Sequence, residues 1–440
     1  MKLSRSYWFR SGSYSLLAYG SQLGFAFISF LVLVRLLPEY EFGVWVLFMT
    51  VTSFAEMARI GLIQNGLVKF CAEAPEHYDR IVSAGLLLNT LAALGLGLLL
   101  IGLGYPLARL WSTPELAQLL WWYLPYVLVF GTARFIDFVH MANGDFRGIF
   151  FSKFAYGFLF LIFVLGWWQW YGAVEVFWLP VLQIAAAMVS LLIMLSYRRR
   201  YMRLGNLDRK WVGRLFHFGK YVLGTNFSSM LFNKMDLMMV GAFINPVAVA
   251  IYNVAARITN YMEAPMTSMA QVIYPRLAEA NRQPDNASVT LLYEKSIAFL
   301  MALMIPFSIG VLLLAEPIVL LLAGAPYAEA APVLSILVAA VFIKPWGRLF
   351  GITLDAIGRP RLNFGVLAFS LLLNIGLNLL LIPWYGIRGA AFATLIAIWI
   401  NIIAGQIIIR RILPVDHWKI IREIFALYQR SVIIVRTKVL

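Results

Sequence analysis

Seven cations, Arg59, Arg134, Lys220, Lys234, Arg257, Lys344 and Arg348, and five carboxylates, Glu56, Asp137, Asp236, Glu263 and Asp355, interrupt long apolar runs of the sequence. If those runs cross a membrane, each charge costs roughly 2.5–3.5 kcal/mol on insertion scales. Each therefore needs a partner or a water-lined surface. The surplus of positive charge suits an anionic cargo such as a phosphate-bearing one, which arginine can grip with two parallel bonds.

Helical periodicity sorts these groups onto faces. Thr225, Asn226, Ser229, Asn233 and Asp236 share one face of their run, with Lys220 and Lys234 roughly opposite. Asn253, Arg257, Asn260, Thr267 and Gln271 form a second polar stripe, with Glu263 at its flank. Lys344, Arg348 and Asp355 share a third face. Arg257, Lys344 and Arg348 have few acidic neighbours in sequence and are expected to face a water-filled cavity. Two readings stand for Glu56/Arg59 and Arg134/Asp137: functional groups, or pairs that neutralise each other one turn apart. The Asn, Ser and Thr side chains serve equally well as bonds between helices.

Other chemistries find no support. The sequence contains no G-x-x-x-x-G-K-[ST] phosphate loop. Its four histidines, His77, His140, His217 and His417, show no metal-ligand spacing. No Ser/His/Asp set sits on a rigid soluble scaffold. We expect no metal, no cofactor and no enzymatic activity.

The elements that must position these residues are membrane helices. The chain is 62% hydrophobic and 13% charged, against about one quarter charged in soluble domains. Runs near 12–34, 42–64, 82–104, 118–140, 150–171, 174–196, 215–243, 247–273, 297–322, 329–357, 362–385 and 387–411 are long enough to span. With the N-terminus inside, outer segments hold only Arg35, Arg109 and Arg388 of 36 Lys and Arg residues. That asymmetry orients the chain with both termini cytoplasmic. Trp45, Trp111, Trp121, Trp122, Trp167, Trp168, Trp170, Trp178 and Trp384 fall at outer ends, as an interfacial belt does. The net charge of +15 then reflects retained basic residues rather than nucleic-acid binding. The N-terminal segment lacks the pattern of a cleavable signal, and the lone Cys71 cannot form an internal disulfide.

The basic linker "YRRRYMRLGNLDRKWVGR" divides the spans six and six. Shifting 12–71 by 207 residues aligns it on 219–278 without a gap, matching Tyr14 to Tyr221, Thr52 to Thr259, Glu56 to Glu263 and Gln64 to Gln271. This predicts an all-α integral membrane protein of about twelve helices in two six-helix lobes. The lobes form a parallel pseudo-repeat around a central cavity. The expected divisions are 1–205, 206–413 and a basic tail, 414–440. Ile420, Ile421, Ile424, Phe425 and Leu427 make that tail an amphipathic helix, lying on the inner membrane surface or exposing a solvated face.

The segments "VRLLPEYEFGVWVLFMTVTSFAEMARIGLIQNGLVKF", "NKMDLMMVGAF", "AIYNVAARI", "YPRL", "LDAIGRPRLNF" and "NIGLNLLLIPWYGIRGAAFAT" resemble the polysaccharide-transporter family. That family comprises the Wzx-type O-antigen flippases of the multidrug/oligosaccharidyl-lipid/polysaccharide exporter superfamily. The resemblance implies flipping of an undecaprenyl-diphosphate-linked oligosaccharide, a unit of lipopolysaccharide or another surface glycan, from the cytoplasmic to the periplasmic leaflet of the inner membrane. On that reading Arg257, Lys344, Arg348 and Arg59 hold the diphosphate, and Asn226, Ser229, Asn233, Asn253 and Asn260 meet the sugars. Glu56, Asp236 and Glu263 become candidates for coupling to a proton or sodium ion. Membrane lipids, and polymerase or chain-length machinery, are the implied partners. A lipid II flippase or a multidrug cation exporter of the same superfamily is the alternative.

Overall fold

A computed structural model describes the backbone of residues 5–197, 201–281 and 286–439. It describes the side chains there except those of 5–12, 225, 226, 228, 229, 232, 271 and 430–439. The regular elements are helices: α1 (Arg5–Leu36), α2 (Glu39–Glu73), α3 (Tyr78–Leu110), α4 (Pro114–Ala142), α5 (Arg147–Tyr171), α6 (Leu179–Tyr197) and α7 (Arg209–Phe243). They continue with α8 (Pro246–Met262), α9 (Ala264–Ala280), α10 (Ala287–Leu313), α11 (Ala315–Leu322), α12 (Ala330–Ala356), α13 (Pro360–Arg410) and α14 (His417–Val439). Among the described residues, nine helices are long and apolar enough to cross a membrane. The chain is an all-α, multi-pass membrane protein.

Four expected spans are built differently. The run 247–273 is broken at Glu263 into α8 and α9, each 17 residues long. Pro265 has no N–H to offer the Tyr261 carbonyl and sits in the first turn of α9, where a missing donor costs nothing. Either helix is about 26 Å long, short of the hydrocarbon core. The run 297–322 bends at Leu314, because Pro317 likewise offers no hydrogen to the Leu313 carbonyl. The runs 362–385 and 387–411 form one helical segment, α13, interrupted at Gly386, whose φ of 58° and ψ of −137° are accessible chiefly to glycine.

The chain packs as two compact units, Met1–Ala250 and Ile251–Leu440. In the first, α2 packs on α3, α4 and α7, while α5 packs on α1 and α6. Two glycines permit close backbone approach there. A Cβ at Gly219 would collide with the Leu62 carbonyl, and one at Gly43 with the Pro246 carbonyl. The core at one end joins Ile63, Leu67, Ile81, Phe135, Trp211 and Leu215. In the second unit α12 packs on α9, α10 and α13, around Leu277, Tyr293, Ile297, Leu349 and Ile409.

The apolar residues of α14 divide between two surroundings. Ile420 and Ile424 join the core of the second unit, whereas Trp418 and Phe425 are exposed. Glu294 on α10 fixes the start of α14 by accepting from the Lys419 ammonium at 2.6 Å and the Asp416 amide at 2.9 Å. Burial first, then the Arg410 charge, pushes the His417 imidazole below its ordinary value of 6.5. Glu294 raises the Lys419 ammonium, which therefore stays charged at acidic and neutral pH. The unfolded chain therefore takes up a proton on His417 that the docked helix resists, so docking weakens as pH falls below about 6.5. Protection factors of the residue 420–428 amides, corrected for the base-catalysed intrinsic exchange rate, are expected to be lower at pH 5 than at pH 7.5, and the difference to shrink in His417→Gln. An equal pH difference in that variant would assign the effect to other groups.

Candidate functional site

Within the second unit, Lys344 and Glu263 form an ion pair, Nζ to Oε1 at 2.5 Å. Both side chains remain partly exposed, at 30% and 25%, so the pair lies at a surface of the protein rather than in its core. Each partner sits at an irregularity. Glu263 is the residue between α8 and α9, and Lys344 immediately precedes Pro345 inside α12. Pro345 lacks the hydrogen that would satisfy the Val341 carbonyl. Interrupted helices with polar groups at the break are a common way to build transporter sites.

Further cations adjoin this pair along the same helices. Arg348 lies one turn beyond Lys344 on α12 and is exposed; Arg257 on α8 is half-buried and hydrogen-bonds the Tyr261 hydroxyl. Asn253, Arg257 and Asn260 share a face of α8 by their spacing. Asn253 is buried, yet its Oδ1 finds no hydrogen-bond partner among the described residues. Asn260 is exposed. Guanidinium, ammonium and amide groups of this kind are the donors that hold phosphate-bearing groups and hydroxyls.

In the first unit the structure places Arg59 differently from a cavity ligand. It is fully buried, and its guanidinium donates to Glu56 at 2.7 and 3.4 Å, Asn89 Oδ1 at 2.5 Å and the Gly131 carbonyl at 3.3 Å. The Tyr123 hydroxyl adds a 3.4 Å bond to Glu56. Arg59 thus joins α2 to α3 and α4, and its donors are occupied. Glu56 and Arg59 pair one turn apart at 2.7 Å, as Arg134 and Asp137 do at 2.5 Å. Asp137 Oδ1 is buried without a hydrogen-bond partner among the described residues. Arg134 lies over the Phe130 ring, 4.6 Å from its centroid.

Glu56 and Glu263, aligned by the 207-residue shift, each receive a donor from a helix further along the chain: Tyr123 on α4 and Lys344 on α12. On α7, Asn233 is exposed and Lys234 and Asp236 are half-buried. The side chains of Asn226 and Ser229 lie outside the described residues. Asn89, Tyr123 and Tyr261 were not singled out from sequence, although an Asn within "LLLNTLAAL" is itself a polar signal in a span. No group of three or more His, Cys, Asp and Glu residues able to hold a metal occurs among the described residues.

Residues 32–332 match the family described as polysaccharide biosynthesis protein. The chain is 27% identical over 187 residues to the probable low-salt glycan biosynthesis flippase Agl15 of Haloferax volcanii, covering 42% of this chain and 40% of that protein. The matched part thus spans about two fifths of that relative's length. Among solved structures, lipid II flippase MurJ in an inward closed conformation superposes with a TM-score of 0.75 at 14% identity, covering 96% of this chain and 92% of that one. An inward-facing multidrug resistance MATE family transporter of the MOP superfamily gives 0.73 at 16%, covering 93% and 96%. These likenesses show the fold.

Proposed function

The chain belongs to the polysaccharide biosynthesis protein family, and from that premise we propose that it is a flippase for lipid-linked glycans. The cargo is an undecaprenyl-diphosphate-linked oligosaccharide destined for an O-antigen or related surface glycan. About twelve helices in two lobes carry it from the cytoplasmic to the periplasmic leaflet of the inner membrane by alternating access. The observation that carries this reading is the Lys344–Glu263 pair at two helix irregularities, with Arg348 and Arg257 on the same helices. In it, Arg257, Lys344 and Arg348 hold the diphosphate, and Asn233, Asn253 and Asn260 meet sugars. Arg59 acts through Glu56 rather than on the cargo.

A diphosphate entering beside Lys344 competes with Glu263 for the ammonium. Released, Glu263 is free to take a proton or sodium ion, which links cargo to coupling ion through one lysine. Asp236 and Glu56 are further coupling candidates. An inside-negative potential adds about 2.3 kcal/mol per negative charge per 100 mV to outward movement. The lipid II flippase is the nearest rival in mechanism; a multidrug cation exporter fits poorly with this concentration of cations.

Replacing Arg257 or Arg348 with Ala is expected to abolish surface-glycan display while the protein still inserts at wild-type abundance. Unchanged display, read by labelling the glycan on intact cells, would remove the diphosphate role.

A further inference from the structure

The first unit also carries a polar pocket, lined by none of the charged residues discussed so far. It occupies about 410 Å³ where α3 begins, α4 ends and the segment before α7 passes, and is lined by Glu76, Tyr78, Asp79, Asn143, Tyr201 and Arg203. That volume falls within the range of small-molecule sites.

Its walls are tied together. The Tyr78 hydroxyl donates to the Tyr201 carbonyl at 2.9 Å and accepts from Asn143 Nδ2 at 2.7 Å; that nitrogen also donates to the Val139 carbonyl at 2.8 Å. The Gly205 amide donates to the Asp79 carbonyl at 3.2 Å, and the Ser83 hydroxyl donates to the Gly205 carbonyl at 2.9 Å. The His140 ring stands edge-on against Tyr201, centroids 5.1 Å apart. A site so held is formed before any ligand arrives, which lowers the ordering cost of binding.

The lining selects a chemistry. Two carboxylates, Glu76 and Asp79, outweigh the single Arg203, so a phosphate is disfavoured. Two tyrosines contribute aromatic surface with a negative face, suited to the C–H face of a sugar ring. The carboxylates accept from hydroxyls, and the guanidinium donates to them.

We propose that this pocket binds one ring of a neutral saccharide. It rests on the glycan-flippase reading for its biological sense: it seats a sugar of the cargo at the face that the Lys and Arg asymmetry assigns to the cytoplasm. Charge asymmetry and hydropathy do not reveal it, because its residues come from three separate turns.

The test uses the full chain in lipid nanodiscs with the methyl glycosides of glucose, galactose, mannose and N-acetylglucosamine, read by saturation-transfer NMR. At least one glycoside is expected to give a signal that falls roughly fivefold in Asp79→Asn and in Arg203→Ala, the loss of about one hydrogen bond. Both side chains are exposed, so neither change threatens folding, and Glu73→Gln on the neighbouring surface leaves the signal intact. Signals equal in wild type and both variants, or displaced by inorganic phosphate, would overturn the proposal. Glycan translocation measured on the same preparations separates the two readings. Translocation without Asp79-dependent binding overturns the pocket alone. Asp79-dependent binding in a protein that moves no lipid-linked glycan upholds the pocket and overturns the flippase.

Discussion

Replacing Lys344 with glutamine is expected to lower translocation of a diphosphate-linked glycan by roughly 10- to 150-fold, the equivalent of a charge-assisted hydrogen bond of about 1.5–3 kcal/mol. The loss has two sources. The cargo loses a cation, and Glu263 is left without its 2.5 Å partner. The charge swap Lys344→Glu with Glu263→Lys distinguishes them. It keeps an ion pair in place but moves the ammonium from α12 to the junction of α8 and α9. Thermal stability is expected to return in the swap, while translocation stays low. Full recovery of translocation would make the pair purely structural. Because both partners are partly exposed, their mutual attraction alone contributes little to stability, so the effect on transport is expected to exceed the effect on folding.

The opposite balance is expected at Arg59. Arg59→Met removes the only cation bonded to Glu56 in the described hydrogen-bond network and strips Asn89 Oδ1 of its donor, while the Gly131 carbonyl keeps only the 3.4 Å bond from Asn89 Nδ2 among these side-chain donors. Breaking a buried pair by deleting one partner costs about 3–5 kcal/mol. A clear fall in melting temperature in detergent should follow. The double variant Arg59→Met, Glu56→Leu should recover much of it, since no uncompensated charge remains. If instead Arg59→Met melted like wild type and lost only transport, Arg59 would belong with the cargo ligands.

These two residues also show how far the sequence could be read. Membrane helices were legible because bilayer thickness and the energetics of charge leave few alternatives. The break between 362–385 and 387–411 coincides with Gly386, whose backbone needs the glycine that the sequence supplies. The interruption at Glu263 was not foreseen, although Pro265 marks it: hydropathy averages over some twenty residues and passes smoothly across a single proline. Arg59 was grouped with the cavity cations because its partners Asn89 and Gly131 lie 30 and 72 residues away. Local spacing offers only Glu56, and nothing in one sequence says which helices will meet. The pairing of Glu263 with Lys344, 81 residues apart, was invisible for the same reason, even though both residues had been singled out. For α14, periodicity announced an amphipathic helix. That Ile420 and Ile424 turn to the protein while Trp418 and Phe425 do not depends on α10, which the local pattern does not contain.

The most direct measurement reconstitutes the full chain in sealed vesicles containing a fluorescent undecaprenyl-diphosphate oligosaccharide. Its leaflet is followed by a membrane-impermeant quencher. Wild-type protein is expected to move the lipid across the bilayer, Arg257→Ala and Lys344→Gln to move it at a small fraction of that rate, and an otherwise identical lipid lacking the diphosphate to stay where it began. Equal rates with and without the diphosphate, or in wild type and both variants, would contradict a flippase that grips its cargo through these cations.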